Sequence, residues 1–218
     1  MAVGGNGLRI GLAKSAIADS QSEIENAPMR IVFLGPPGAG KGTQAQRLKD
    51  YLHICHLSTG EMLRGADEAG SKLGREAAGH MNAGKLVPDD VVVGIVSDRI
   101  SEKDCALGCL FDGFPRTVPQ AEALDRMLNE RGMPLELVLA LDVPEPQLVD
   151  RLLARGRPDD DREPIRERFR QYHQWAEPLL DYYRRKGILR QIDASGTPEE
   201  VFAKVRSAVD AVRPTVRQ

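Results

Sequence analysis

Lys41 stands in the run Gly35-Pro36-Pro37-Gly38-Ala39-Gly40-Lys41-Gly42-Thr43. Glycines let successive backbone N–H groups converge on an anion, a following helix adds about half a positive charge at its N-terminus, and the lysine supplies a mobile cation. The run fits G-x-x-x-x-G-K-[ST] only with its last position relaxed, since Gly42 separates Lys41 from Thr43. Its context suits the motif: an apolar stretch from Arg30 to Leu34 precedes it and a helical pattern from Lys41 to Tyr51 follows. The loop is expected to hold a nucleoside triphosphate, with Lys41 reaching the β- and γ-phosphates. It does not say what becomes of the γ-phosphate, because switches, motors and kinases share it.

Arginines recur at expected element ends: Arg64, Arg116, Arg151, Arg155, Arg157 and Arg168. Arg151 and Arg155 are four residues apart on one helix face, where like charges repel unless an anion lies between them. Phosphoryl transfer demands charge neutralisation and in-line positioning more than covalent help, so converging cations are the expected equipment. A hydroxyl acceptor would call for a carboxylate to take its proton, whereas a phosphate acceptor calls for cations. The arginine set favours a phosphate acceptor. Asp112 ends the apolar run Cys109-Leu110-Phe111 and suits the acidic position that holds Mg²⁺ directly or through water. His53, His56, His80 and His173 share no short metal-ligand spacing and are expected to be structural, as Trp175, Tyr182 and Tyr183 are expected to pack.

Strand-like runs at Arg30 to Leu34, Ile54 to Leu57, Cys109 to Asp112, Leu135 to Val143 and Ile188 to Ile192 alternate with helical spacing. Five short apolar strands of this kind predict an α/β fold, a five-stranded parallel sheet with helices on both faces. Between the second and third strands, Ser58 to Gly108 shows helix patterns but no strand, more chain than one crossover needs, and reads as an inserted helical subdomain. Thr197-Pro198-Glu199-Glu200 reads as the N-cap of a helix over Val201 to Val212. The charged, breaker-rich stretch from Arg155 to Arg162 is the expected moving loop.

The 218 residues carry 30 Lys and Arg against 32 Asp and Glu, a balance that argues against a basic nucleic-acid binder. Cys55, Cys105 and Cys109 form an odd set without C-x-x-C spacing, which disfavours a disulfide framework and a four-ligand zinc site. Apolar runs such as Leu137 to Leu141 are strand-length, so no membrane span is expected, and a reducing cytoplasm is the simplest home. Residues 1–28 have neither a secretory apolar core nor the composition of a transit peptide, and are expected to be a flexible N-terminal extension.

Five ordered motifs, GPPGAGKGTQA, LSTGEMLR, GKLVPD, LFDGFPRTVPQAE and DDDREPIRERF, resemble adenylate kinase, over a stretch from about Met29 to the last helix. The resemblance implies a P-loop NTPase core over residues 29–218, with an AMP-binding insertion at 58–87 and a lid at 155–162. It implies that Gly38, Ala39, Gly40, Lys41, Gly42 and Thr43 bind the ATP phosphates, with Arg151 and Gly196 near the ATP base. AMP would be held by Thr59, Arg64, Lys85, Leu86, Val87, Gly113, Phe114, Pro115, Arg116 and Gln120, with Gln120 reading the adenine edge and Arg116 gripping the phosphate. Arg157 and Arg168 would bridge the phosphates of both nucleotides, and Lys41, Arg116, Arg151, Arg157 and Arg168 form the expected catalytic set.

Two departures from the family pattern stand out. Only Gly156 lies between Arg155 and Arg157, where longer members insert a lid that sometimes binds zinc, so the short-lid form without lid zinc is implied and the alignment of Arg155 is ambiguous. Glu61 stands where aspartate is common. The expected reaction is Mg-ATP + AMP giving two ADP by a monomer, with ATP, AMP and ADP as its partners and Mg²⁺ as its cofactor, in adenine nucleotide homeostasis. The alternatives are a UMP/CMP kinase of the same fold, against which Thr59 and the TVPQ segment at Thr117 to Gln120 argue, a hydroxyl-acceptor kinase, and a nucleotide switch. A guanine switch should show N-K-x-D where this chain has Leu141-Asp142-Val143-Pro144.

Overall fold

The structure is a computed structural model that describes residues 28–157 and 160–213. The expected N-terminal extension up to residue 27 lies outside these residues, as do Pro158 and Asp159 of the expected lid. Five strands, β1 (Met29–Leu34), β2 (Cys55–Ser58), β3 (Gly108–Asp112), β4 (Leu137–Asp142) and β5 (Leu189–Asp193), form one sheet in the order β2-β3-β1-β4-β5. Every pairing is parallel, with Val32 opposite Phe111 on one side and Val138 on the other.

All five expected strands are present, with shifted ends. β4 starts two residues later than the apolar pattern predicts because Glu136 is spent on Arg30: its carboxylate accepts from the Arg30 backbone N–H at 2.6 Å and from Nη1 at 2.7 Å. β3 starts one residue earlier, at Gly108, where a Cβ would stand 2.5 Å from the Met29 carbonyl. Only glycine lets the two strands close up there.

Side chains alternate across the sheet, so its two faces feed two cores. Ile31, Phe33, Leu137, Leu139 and Leu141 are buried on one face with residues of α1 (Lys41–Leu52), α6 (Glu145–Arg155) and α8 (Pro198–Asp210). Val32, Leu34, Phe111, Val138 and Ala140 are buried on the other with α4 (Asp89–Ile100), α5 (Val118–Glu130) and α7 (Arg162–Arg185). Tyr183 is fully buried and Trp175 packs against this second core, as expected of packing residues. The α8 N-terminus is a complete capping box between Thr197 and Glu200.

Between β2 and β3 the chain forms α2 (Thr59–Glu68), α3 (Lys72–Asn82), α4 and a short 3₁₀ turn (Lys103–Leu107), with no strand. α2 and α3 meet so closely that a Cβ on Gly74 would lie 2.2 Å from Ala66 backbone atoms. The loops after β1 and β3 leave the same end of the sheet, beside the point where the chain order reverses, which is where open parallel sheets bind ligands.

Candidate active site

The turn from β1 into α1 owes its shape to close approach. Gly35 (φ 143°) would carry a Cβ 2.7 Å from the Leu141 carbonyl, and Gly38 (φ 83°) one 3.0 Å from the Leu148 carbonyl of α6. The loop is therefore pressed against Leu141 of β4 and Leu148 of α6. Lys41 opens α1 and folds back over the turn, Nζ donating to the carbonyls of Gly35 at 2.8 Å and Pro36 at 2.9 Å.

A cleft of about 820 Å³ runs from this loop to the helices between β2 and β3. It is lined by Gly38, Ala39, Gly40, Lys41, Gly42 and Thr43 at one end, and by Thr59, Arg64, Lys85, Leu86 and Val87 at the other. Between them lie Asp112, Gly113, Arg116 and Gln120 from the β3–α5 connection, with Arg151, Arg157, Arg168 and Gly196 completing the walls. Two expected residues do not line it. Phe114 is fully buried in the core, and Pro115 lines a smaller adjoining cleft of about 70 Å³ with Gly35, Lys41 and Trp175.

Electrostatics tie the floor together. Burial, with the charges of Arg116, Arg168 and Arg155, pushes Lys41 down to about 8 against the pull of Asp112. Burial alone would raise Asp112, but His56 beside it and the charges of Lys41 and Arg116 hold its carboxyl below the usual range. His56 Nε2 lies 3.7 Å from Asp112 Oδ2, charge-pair distance rather than a hydrogen bond. An ionised carboxylate at Asp112 and the hydroxyl-bearing Thr43, which line the same cleft, are the hard oxygen donors that Mg²⁺ takes.

Several contributors were not legible in the sequence. Asp160 has a buried side chain that accepts from Arg155 Nε at 2.8 Å and Nη2 at 2.6 Å, from Arg168 Nη1 at 3.0 Å and from the Arg157 backbone N–H at 3.1 Å. Burial would raise its carboxyl, but these partners keep it below the usual range. The ambiguous Arg155 is thus clamped into the arginine group across the gap left by α6, which ends at left-handed Gly156 (φ 69°). Nothing in a run of three aspartates marks which one turns inward. His56 likewise carried no spacing signal.

Cys55, Asp104 and Cys105 bring ligand atoms within 4.8 Å of one another, a cluster that the cysteine spacing did not suggest. Arg99 occupies it, with two hydrogen bonds to Asp104 at 2.8 and 2.6 Å and one to Cys105 Sγ at 3.0 Å, supplying the positive charge a metal would bring. A hydrogen bond with Cys55 and burial push the Cys105 thiol far up, and a metal ligand must be a thiolate.

The family profile described as adenylate kinase matches residues 33–188. An adenylate kinase of Leptospira biflexa serovar Patoc is 51 % identical over 184 residues, covering 83 % of this chain and 99 % of the relative. One from Thermodesulfovibrio yellowstonii is 45 % identical over 208 residues, 81 % of this chain and 97 % of the relative. One from Mycolicibacterium vanbaalenii is 49 % identical over 181 residues, with 83 % and 99 % covered.

Proposed function

The chain belongs to the adenylate kinase family and is an ATP:AMP phosphotransferase; from that premise we propose how its cleft divides the work. The observation that carries the reading is the cleft itself, which is lined by a lysine-bearing phosphate loop, the buried amide of Gln120, and Arg116, Arg155, Arg157 and Arg168.

Residues 38–43, Lys41 among them, take the ATP phosphates, with Arg151 and Gly196 beside the ATP base. Thr59, Arg64, Lys85, Leu86, Val87, Gly113, Arg116 and Gln120 take AMP. Phe114 and Pro115 contribute backbone and wall rather than contact through the Phe114 ring. An acceptor phosphate is already a nucleophile, so the protein's task is to overcome repulsion between two anions and hold them in line. Arg116 does this from the acceptor side and Lys41 from the donor side, while Arg157 and Arg168 bridge the phosphates of both nucleotides. Asp160 acts on the transfer through the arginines it orients.

Asp112 and Thr43 would hold the Mg²⁺ that accompanies ATP, and the ion would supply positive charge against the phosphates. The helices over residues 58–87 close over bound nucleotides together with Arg155 to Arg157 and Asp160 to Arg162, and exclude water from the γ-phosphate. The protein works as a cytoplasmic monomer in adenine nucleotide homeostasis, without zinc, nucleic acid or membrane partners. Among the described residues no helix is long and apolar enough to cross a membrane.

Incubating the chain with Mg-ATP and, separately, AMP, CMP, UMP, GMP, shikimate or no acceptor, while quantifying ADP, tests the reading. Strong ADP formation with AMP alone is expected. Preference for CMP or UMP would keep the chemistry and overturn the reading of the acceptor pocket as an adenine pocket, and ADP formed equally well without acceptor would overturn water exclusion.

A further inference from the structure

Gln120 is buried, 2 % exposed, yet lines the cleft, and both ends of its amide are already engaged. Nε2 donates to Asp89 Oδ1 at 2.7 Å, and Oε1 accepts from the Arg116 backbone N–H at 2.7 Å. The second oxygen of Asp89 accepts from Thr117 Oγ1 at 2.7 Å. Asp89 opens α4, while Thr117 caps α5 and Gln120 lies in its first turn, so one carboxylate joins the starts of two helices.

A primary amide has two N–H donors and two acceptor positions. Asp89 and Arg116 use one of each, leaving one donor and one acceptor. An adenine edge, with an exocyclic amine beside a bare ring nitrogen, matches that remainder in one orientation of the amide. A hypoxanthine edge, with a carbonyl beside a ring N–H, matches it only if the amide is turned over by 180°. An isolated amide turns at little cost. This one does not, because a carboxylate only accepts and a backbone N–H only donates. Turning it would set Oε1 against Asp89 oxygen and the NH₂ against the Arg116 N–H, leaving buried polar groups facing their own kind.

We propose that Asp89 is a specificity-determining positioning residue: it locks the amide of Gln120 in the orientation that accepts adenine and rejects a 6-oxopurine. This rests on the reading of Gln120 as the base-reading residue. Asp89 need not touch the nucleotide. It acts by withdrawing the choice of orientation, and the Arg116 N–H alone supplies only half of the lock.

Asp89→Asn separates orientation from mere attachment. An Asn side chain can accept from Gln120 or donate to it, so both amide orientations find a partner on that side. The test measures kcat/KM for AMP and for IMP, with the KM for ATP, in wild type, Asp89→Asn, Asp89→Ala and Gln120→Leu, each checked by thermal melting and assayed below its transition. The expected result is that the AMP:IMP ratio falls by about tenfold or more in both Asp89 variants while the KM for ATP holds. CMP presents the same amine-beside-nitrogen pattern as AMP, so the AMP:CMP ratio should move far less. If Gln120→Leu collapses the AMP:IMP ratio and neither Asp89 variant moves it, the lock is overturned and base reading stands. If Gln120→Leu leaves the ratio unchanged, the reading of Gln120 itself fails. A rise in the ATP KM equal to the loss with AMP would show that Asp89 is merely structural and overturn the proposal.

Discussion

A Cβ on Gly113 would stand 2.8 Å from Thr59 Oγ1, closer than any real side chain tolerates. Thr59 opens α2 and its hydroxyl leans on the carbonyl of Asp112 at 3.4 Å, so this contact fixes the start of α2 against the end of β3.

Gly113→Ala should therefore disturb the acceptor end of the cleft twice, through the clash and through its φ of 80°. We expect the KM for AMP to rise about tenfold with a smaller effect on the KM for ATP. Thr59→Ala removes the clashing hydroxyl, so the double variant should lose less than the two single losses added together. Strict additivity in steady-state kinetics would mean that the two residues do not couple.

Lys41→Met and Arg116→Ala remove charge that counts most when the phosphoryl group is in flight. Each should lower kcat by about three decades, which corresponds to about 4 kcal/mol at roughly 1.4 kcal/mol per tenfold. An unchanged kcat/KM in Arg116→Ala would remove that residue from the site.

Lys41 gives a pH signature. With the amine pushed down to about 8 by burial and the neighbouring arginines, a bound polyphosphate should raise it again, so ATP binding near pH 8 takes up about half a proton and near pH 6.5 almost none. Calorimetric titration in buffers of different ionisation enthalpy measures this, and Lys41→Met should abolish the difference. The same shift has a stability sign. The folded value lies below the unfolded value of 10.5, so between about 8 and 10.5 the unfolded chain binds more protons and Lys41's contribution to stability rises with pH.

Away from the cleft, Glu136 partners the buried guanidinium of Arg30 and its backbone N–H. Glu136→Ala leaves a buried charge without its carboxylate and should cost about 3 kcal/mol. Urea unfolding should show a lower midpoint with an unchanged slope, while kcat per folded molecule stays the same.

The linear order of residues determined a good deal by itself. The glycine run and Lys41 act over adjacent positions, and β1, β3 and β4 are near-continuous apolar runs, as strands covered on both faces must be; both are local properties, and both appear within two residues of where the pattern predicts. The five motifs carried the family. The tertiary structure decided what depends on partners distant in sequence. It turned Asp160 inward to clamp Arg155 and Arg168, seated Asp89 on Gln120 across 31 positions, set His56 beside Asp112, buried the Phe114 ring, and spent Glu136 on Arg30 rather than on β4. A single chain records charge and polarity but not which opposite group will meet them once water is excluded. That meeting, not the residue type, sets whether a carboxylate is a solvated surface charge or the clamp on an active-site arginine.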